Sequence, residues 1–375
     1  MKGKLVYISN SRMPTQLAHG LQVMSMCRAF TQNGLQVELL VPRRVNRIRE
    51  APFSYYGIEK NFSIKKILCL DLIFLNNRSI FFWIQTLSFL LSVKSYLASK
   101  KYDILYTREQ MVGLFFKNFV LEIHSLPKKT RKFHKKIWEK AKALVVLTPF
   151  IKQNLVDLGI PKEKIIVSPD GVDLELFDIS VSKEEAREKT SLPQNKKLIG
   201  YVGMLRTLGM EKGIDTAILA MKRLDENTSL ILVGGSLDDI NYYKKMAMDK
   251  GLENRVIFTG RVSHQEIPIY LKAFDILIAP FPENQHYSYY MSPMKIFEYM
   301  ASKRPIITTS LPSLVDILGS GKALLIAPGS SEGLSSGIES LLELGQKEVY
   351  STEAFEAVKG YTWQERARKI LESIK

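Results

Sequence analysis

Two stretches in the second half of the sequence have residue types and spacing suited to binding phosphate. The first contains Gly203, Arg206 and Lys212, directly after the apolar run 198–202. A loop that follows a buried parallel strand lies at the carboxyl edge of the sheet, where ligands of doubly wound folds bind. Two cations at that edge can stabilise a diphosphate leaving group. The alternative is that they are solvated loop charges, the commoner outcome for a single Arg or Lys.

The second stretch is Ser292-Pro293-Met294-Lys295. We expect Ser292 to be the N-cap of a helix and Pro293 to be its first residue. The amides of Met294 and Lys295 would then point out of the helix N-terminus, where they and the helix dipole bind phosphate. A lysine in the first turn opposes that dipole unless an anion is near. The alternative is an ordinary capped helix with a surface lysine.

Glu298 lies one turn further along the same helix, among apolar residues. A carboxylate in such surroundings needs a partner, and a ribose diol offers two hydroxyl donors. A salt bridge to Lys303 or Arg304 is the alternative, so Glu298 does not decide the ligand by itself.

The elements that must position these residues alternate between short apolar strands and helical patterns along most of the 375 residues. This alternation predicts an α/β fold with two Rossmann-like domains facing each other across a cleft. The charged, proline-broken segment 183–197 is expected to be the linker. We therefore predict an N-terminal domain over 1–182, a C-terminal domain over 198–355, and a last segment, 356–375, whose helix crosses back to the N-domain.

Several motifs, taken in order, resemble the GT-B glycosyltransferases of the retaining family 4. They include VVLTPFIKQNL, VSPDGVDLELF, GYVGMLRTLGMEKGID, LILVGG and SPMKIFEYMASKRPII, and the resemblance is strongest over 145–328. The first half matches more loosely, through PTQLAHGLQVMSMCRAFTQNG and LEIHS. The terminal YTWQERARKIL resembles the family's last helix, which crosses back over the N-domain.

The resemblance implies roles for individual residues. Lys212 matches the family's phosphate-binding lysine, and Arg206 resembles a displaced form of its arginine, which usually follows the glycine, here Gly203, directly. Glu298 matches the glutamate that holds the donor ribose, and the amides at the start of its helix would bind the diphosphate. The family's other motif glutamate, which lies against the donor sugar, is replaced by Tyr290. This departure leaves open a changed mode of sugar binding or an impaired enzyme.

Three further positions belong to the first half of the chain. His124 in LEIHS resembles the active-site histidine that touches the transferred sugar, although a structural histidine is the alternative. His19 and Gly20 stand where the family has a glycine-rich turn near donor and acceptor, and the usual glycine pair is missing. We expect a helix to begin after Gly20 and to face the cleft.

Charge is unevenly divided along the chain. Residues 1–180 hold 28 Lys and Arg against 14 Asp and Glu, a net charge of +14, and residues 181–375 hold 25 against 24. Lys128 to Lys142 contains eight cations and one anion, with Phe133, Ile137, Trp138 and Ala141 at helical spacing. This pattern predicts a helix on an anionic membrane surface. The alternative is a helix packed on its own sheet with a solvated basic face.

The uncharged run 79–93 is shorter than a bilayer span and predicts a buried or interfacial helix.

These observations together predict an enzyme that moves a hexosyl group from a nucleoside-diphosphate sugar to a glycan or lipid-linked glycan, with retained anomeric configuration. We expect no metal, because Arg206, Lys212 and the helix amides can meet the charge of the leaving diphosphate and no plausible Asp-x-Asp site is present. We expect no nucleic-acid partner, because neither a zinc-ligand cluster nor an RNP-like aromatic motif accompanies the basic half. The two cysteines, Cys27 and Cys69, and the lack of an evident signal peptide favour a cytoplasmic location, on the inner face of the membrane. An epimerase or phosphorylase of the same architecture, and a non-catalytic basic membrane- or nucleic-acid-binding protein, remain alternatives.

Overall fold

The computed structural model describes residues 3–73, 79–127, 129–207, 209–319, 321–343 and 347–375. The chain divides into two compact units. The first comprises Met1–Pro169 and Trp363–Lys375, and the second comprises Asp170–Thr362.

The first unit is a parallel sheet with strand order β3-β2-β1-β4-β5-β6-β7. Its strands are rich in Val, Ile and Leu because parallel strands are covered by helices on both faces. The strands are β1 (Gly3–Ile8), β2 (Leu35–Pro42), β3 (Ser63–Ile67), β4 (Ile104–Thr107), β5 (Val120–Ile123), β6 (Ala143–Val146) and β7 (Ile165–Val167). The helices are α1 (Ala18–Gln32), α2 (Pro52–Tyr56), α3 (Ser79–Leu97), α4 (Lys132–Lys140) and α5 (Pro149–Asp157), with a 3-10 turn at Gln110–Leu114 and another at Lys162–Lys164.

The second unit has a parallel sheet with strand order β12-β11-β8-β13-β14-β15 and a separate hairpin of β9 and β10. Its strands are β8 (Lys197–Val202), β9 (Arg206–Thr207), β10 (Met210–Glu211), β11 (Thr228–Val233), β12 (Val256–Gly260), β13 (Ile276–Ala279), β14 (Ile306–Thr309) and β15 (Leu324–Ile326). The helices are α6 (Leu174–Phe177), α7 (Lys183–Lys189), α8 (Ile214–Ala220), α9 (Leu237–Asp249), α10 (Ile267–Ala273), α11 (Met294–Ala301), α12 (Pro312–Leu318), α13 (Ser331–Glu343) and α14 (Lys347–Val358). A π-helical turn spans His286–Tyr290, and a 3-10 turn spans Lys359–Tyr361. The α/β class with two Rossmann-like domains is confirmed.

The segment 183–197 is not a linker. It contains α7 and lies inside the second unit, which begins at Asp170. The Ser182 hydroxyl accepts the amide of Glu185, and Arg187 and Lys183 both contact the carboxylate of Asp275, at 2.7 and 2.9 Å. The charges that suggested an exposed linker are therefore paired within a folded element. The last helix, α15 (Trp363–Ser373), belongs to the first unit.

The helix predicted after Gly20 begins two residues before it, at Ala18, so that His19 lies in its first turn. Gly20 is needed for space, since a Cβ there would lie 2.1 Å from the hydroxyl of Tyr56. The predicted position of this helix start was therefore wrong by a few residues.

The basic helix α4 packs its apolar stripe into the first unit. Three residues of the predicted stripe, Ile137, Trp138 and Ala141, are buried, whereas the fourth, Phe133, is exposed. Lys132, Lys135 and Lys136 remain on the surface, while Lys128 lies outside the described residues. The apolar stripe is therefore packed within the first unit, and the basic face is the part of α4 that lies on the surface. Association of this face with an anionic membrane stays a prediction.

Candidate functional site

The start of α11 is held at the carboxyl end of β8. The hydroxyl of Tyr299 accepts the amide of Val202 at 2.8 Å, which fixes the helix against the strand end. The N-cap is Pro293 and the first helical residue is Met294. Ser292 is not the N-cap, because its hydroxyl accepts the amide of Asp170 at 2.8 Å instead. The first-turn amides are still those of Met294 and Lys295, as expected.

Lys295 is half-buried at this helix start, and its ammonium nitrogen is buried. Its Nζ lies 3.7 Å from the ring centre of Tyr201 and 5.7 Å from that of Phe281. Among the described residues, Nζ has no hydrogen-bond partner. A Cβ at Gly203 would come within 3.0 Å of this Nζ, so the bare glycine backbone leaves space for the ammonium group. An unpaired ammonium in such surroundings is costly for the folded protein unless an anion binds it.

Lys212 belongs to the same cluster. Its Nζ lies 4.8 Å from the ring centre of Tyr287 and 5.6 Å from that of Phe281. The next residue, Gly213, has φ 78°, and a Cβ there would lie 1.7 Å from the carbonyl oxygen of Pro280. Glycine is thus required for this loop to bring Lys212 against the aromatic rings.

The two lysines affect each other's charge. Burial lowers the pKa of Lys212 to about 8. Burial, and then repulsion from Lys212, lower the pKa of Lys295 well below its ordinary value, and Glu298 offsets this in part. Two ammonium groups that repel each other in a buried aromatic pocket form a site that an anion would stabilise.

Arg206 is held away from this pair by partners of its own. Its Nε donates to the carboxylate of Asp239 at 2.7 Å, and its guanidinium lies 4.6 Å from the ring centre of Tyr242. The structure therefore brings Gly203, Lys212 and Lys295 together, while Arg206 is engaged by Asp239 and Tyr242 of α9.

Glu298 contacts His264, whose Nε2 lies 3.1 Å from Oε1. The alternative partners expected from the sequence are occupied elsewhere. Lys303 pairs with Asp178, and Arg304 donates to the carbonyl oxygen of Lys272. Neither makes the expected salt bridge.

Tyr290 ends the π-helical turn His286–Tyr290, and its hydroxyl accepts from Nε2 of Gln285 at 3.3 Å. The same turn supplies Tyr287, which is buried beside Lys212 and donates its hydroxyl to the carbonyl oxygen of Glu211. The turn that contains Tyr290 therefore also supplies an aromatic contact to Lys212.

The first unit contains a separate cluster around Glu122, which is fully buried on β5. Its carboxylate accepts from Gln22 at 2.6 Å, from Arg366 of α15 at 3.0 Å and from Nε2 of His124 at 2.5 Å. The hydroxyl of Tyr106 donates to the same carboxylate. Burial raises the pKa of Glu122, but Arg366 and His124 outweigh burial and hold it well below the ordinary value. His124 is thus oriented by a buried anion, with a quarter of its side chain exposed.

His19 and Arg108 lie near His124. Burial, and then the charges of Arg108 and His124, lower the pKa of His19 to about 4. Arg108 donates to Gln22 at 2.7 Å and lines a pocket with Gln110 and His124. This pocket is also lined by Glu122 and Ser125, so it can accept a polar group.

The residues that contact the two lysines, Glu298 and Glu122 could not be identified from the sequence. Tyr201, Phe281 and Tyr287 are apolar positions of ordinary strands and turns, so no local pattern marks them as lysine contacts. His264 and Arg366 are separated from their partners by 34 and 244 residues. The one available signal was Arg366 itself, a cation on the apolar face of the terminal helix.

The comparisons with known proteins agree with this architecture. Residues 20–176 match the family described as Glycosyltransferase Family 4, and residues 182–356 match Glycosyl transferases group 1. A glycosyltransferase of Methanocaldococcus jannaschii is 24% identical over 242 residues, which cover 62% of this chain and 59% of that relative. The match thus spans less than two thirds of the relative's length.

Solved structures resemble the whole chain. HepE of Anabaena, in complex with UDP and glucose, has a TM-score of 0.74 at 17% identity, covering 99% of this chain and 98% of its own. Sucrose-phosphate synthase of Thermosynechococcus elongatus has a TM-score of 0.79 at 19% identity, with 99% and 98% covered. The chain belongs to the GT-B glycosyltransferases of the family-4 type.

Proposed function

We propose that the protein transfers a hexosyl group from a nucleoside-diphosphate sugar to a glycan or lipid-linked glycan acceptor, with retention of anomeric configuration. The observation that carries the proposal is the pair of half-buried lysines, Lys212 and Lys295, beside the first-turn amides of α11. A diphosphate supplies the hydrogen-bond acceptors that Lys295 Nζ lacks among the described residues, and negative charge opposite both ammonium groups. The Anabaena neighbour was also solved with UDP-glucose, which supports a nucleotide sugar as donor.

The roles of the individual residues follow from their chemistry. The two lysine cations and the amides of Met294 and Lys295 would stabilise the charge that develops on the departing diphosphate. The proposal assigns this task to protein groups and calls for no metal cofactor. Glu298, oriented by His264, would accept hydrogen bonds from the donor ribose. Tyr290 would contact the transferred sugar in place of the family's glutamate.

His124 and His19 are proposed to contact the transferred sugar and the acceptor from the first unit. The hydrogen bond from Nε2 of His124 to Glu122 fixes the orientation of its ring, as a histidine that positions a sugar requires. The basic face of α4 and the net charge of +14 over 1–180 support a location at the anionic cytoplasmic face of the membrane, where a lipid-linked acceptor is presented.

The test is a donor panel followed by an acceptor assay. The purified full chain is incubated with UDP-, GDP-, ADP- and dTDP-hexoses, and thermal shift identifies the donor, since a ligand at a hundred times its Kd adds about 2.7 kcal/mol of stability. Release of the free nucleoside diphosphate is then measured with and without membrane lipid extract. The proposal predicts acceptor-dependent release and an unchanged anomeric configuration in the product. Turnover of donor with no acceptor, or a stabilising donor that is never consumed, would contradict it.

A further inference from the structure

Helix α3 exposes an apolar stripe on the surface of the first unit. Ile80, Trp83, Leu87 and Leu91 recur at helical spacing and are 57%, 46%, 38% and 56% exposed. We call these four residues the α3 face. Among the described residues, Ser79–Leu97 is the helix long and apolar enough to cross a membrane, and only a third of its most apolar window is buried.

The opposite side of α3 is fixed to the sheet. Nε2 of Gln85 donates to Oδ1 of Asn10 at 2.9 Å, and Nδ2 of Asn10 donates to the hydroxyl of Thr86 at 2.9 Å. Phe89 and Val93 are buried beside them. A helix with this polar, hydrogen-bonded side cannot span a bilayer without breaking those bonds. The α3 face can therefore meet lipid only while the helix lies flat at the surface.

The apolar surface continues beyond the helix. The amide of Leu70 donates to the hydroxyl of Ser88 on α3 at 2.9 Å, and Leu68 and Leu70 are both exposed. Val45 is exposed too, and its amide is held by Asp71, next to Leu70. These residues add exposed apolar side chains next to the α3 face, and monomeric soluble proteins rarely expose large apolar patches.

Cations accompany this surface. Residues 43–94 contain nine Lys and Arg against three Asp and Glu. Lys65 and Lys66 are exposed on the neighbouring edge strand β3, and Lys94 is exposed at the end of the stripe. Apolar side chains combined with surrounding lysines and arginines complement a bilayer with anionic headgroups.

We infer that the α3 face, with Val45, Leu68 and Leu70, docks into the interfacial region of an anionic lipid bilayer. The inference rests on the proposed membrane location and assigns the docking surface. The apolar side chains enter the boundary between headgroups and acyl chains, and the adjacent cations contact the headgroups. Trp83 is suited to this depth because its ring is apolar and its indole N–H can remain hydrogen-bonded.

Flotation of the full chain with vesicles tests the inference. The vesicles are phosphatidylcholine alone or phosphatidylcholine with phosphatidylglycerol. The test variant is W83S/L87S/L91S, and the control is L237S/M248S/V349S, which removes three exposed apolar residues of the second unit. We expect salt-sensitive binding of the wild type and of the control to the anionic vesicles. The test variant should lose affinity by roughly tenfold or more, because each inserted side chain contributes a large share of the transfer free energy.

Further measurements make each outcome decisive. Fluorescence of Trp83 should shift to the blue on anionic vesicles, while W83F should lose that shift, since Trp138 and Trp363 are buried. UDP titration checks that the test variant is folded and keeps the donor site, so that a failure of docking is separable from a failure of the transferase proposal. Equal flotation of the test variant and the wild type would overturn the inference. Loss of vesicle binding in K132E/K135E/K136E of α4, with the test variant still binding, would also overturn it. A wild-type dimer that dissociates in the test variant would do the same.

Discussion

The ammonium of Lys295 lies 3.7 Å from the ring centre of Tyr201 and, within the described part of the chain, has no hydrogen-bond partner. The ring face attracts the cation but offers no acceptor for its three N–H groups. A second lysine, Lys212, is close enough to lower its pKa further. Stability alone would favour an apolar residue at this position, so the arrangement supports the proposed anion site.

Lys295→Met should stabilise the protein without ligand. Removing a buried, unpaired cation relieves desolvation and the repulsion from Lys212, a gain of about 1 kcal/mol. Differential scanning calorimetry of the ligand-free protein would show a higher Tm for the second unit. A matched exposed lysine, Lys222→Met, should leave the Tm within error. A clearly lower Tm for Lys295→Met would show that the ammonium is a structural group.

Affinity for UDP should fall as pH rises through about 8. The pKa of Lys212 in the free protein is lowered to about 8, so this cation is lost above that pH. A bound diphosphate favours the ammonium form and restores its proton, whereas the terminal phosphate is already ionised, with a pKa of about 6. Calorimetry in two buffers of different ionisation enthalpy should therefore report proton uptake near pH 8. Proton release, or an affinity that is constant to pH 9.5, would contradict this assignment.

The ligand-free protein should show the reverse dependence. Lys212 and Lys295 have lowered pKa values in the folded state, so the unfolded chain binds more protons above about pH 8. The free energy of unfolding contributed by these two groups consequently increases with pH up to their unfolded pKa. Urea melts of the wild type between pH 8 and 10, compared with Lys212→Met/Lys295→Met, measure this difference. A wild-type curve parallel to that of the double variant would exclude the effect.

Glu298→Gln should weaken binding of UDP by about tenfold to a hundredfold, because the ribose hydroxyls lose a charged acceptor. Inorganic pyrophosphate should bind the variant as it binds the wild type. Competition between pyrophosphate and UDP separates the two contributions. If both ligands weaken equally, Glu298 acts on the phosphate region and not on the ribose.

Arg366→Met should destabilise the first unit by about 3–5 kcal/mol, because it leaves the buried carboxylate of Glu122 without its cation. The double variant Glu122→Gln/Arg366→Met should regain part of that loss. The thermal transition of the first unit measures both changes. Additive effects of the two substitutions would show that the pair is not coupled.

The sequence predicted the α/β class and the residues at the loop ends because strand–helix alternation and terminal loops are local patterns. Lys212, Lys295 and Glu298 were found from their positions near strand and helix ends. Local sequence patterns could not predict that Ser292 accepts a hydrogen bond from Asp170 or that Arg206 pairs with Asp239. They also could not predict that segment 183–197 is folded. Each of these depends on a partner distant in sequence, and a charged segment looks the same whether its partner is water or Asp275. The sequence also left open whether Ile137 and Trp138 of α4 face the protein or a membrane, since an amphipathic pattern does not say what covers its apolar stripe.

The central claim is that Lys212 and Lys295 bind the diphosphate of a nucleotide sugar. Isothermal titration of UDP into the wild type, Lys295→Met, Lys212→Met and the control Lys222→Met tests it most directly. We expect each of the first two substitutions to reduce affinity by a factor of about ten or more, since a charged hydrogen bond is lost, and the control to bind as the wild type does. Wild-type affinity in both cluster variants would contradict the claim.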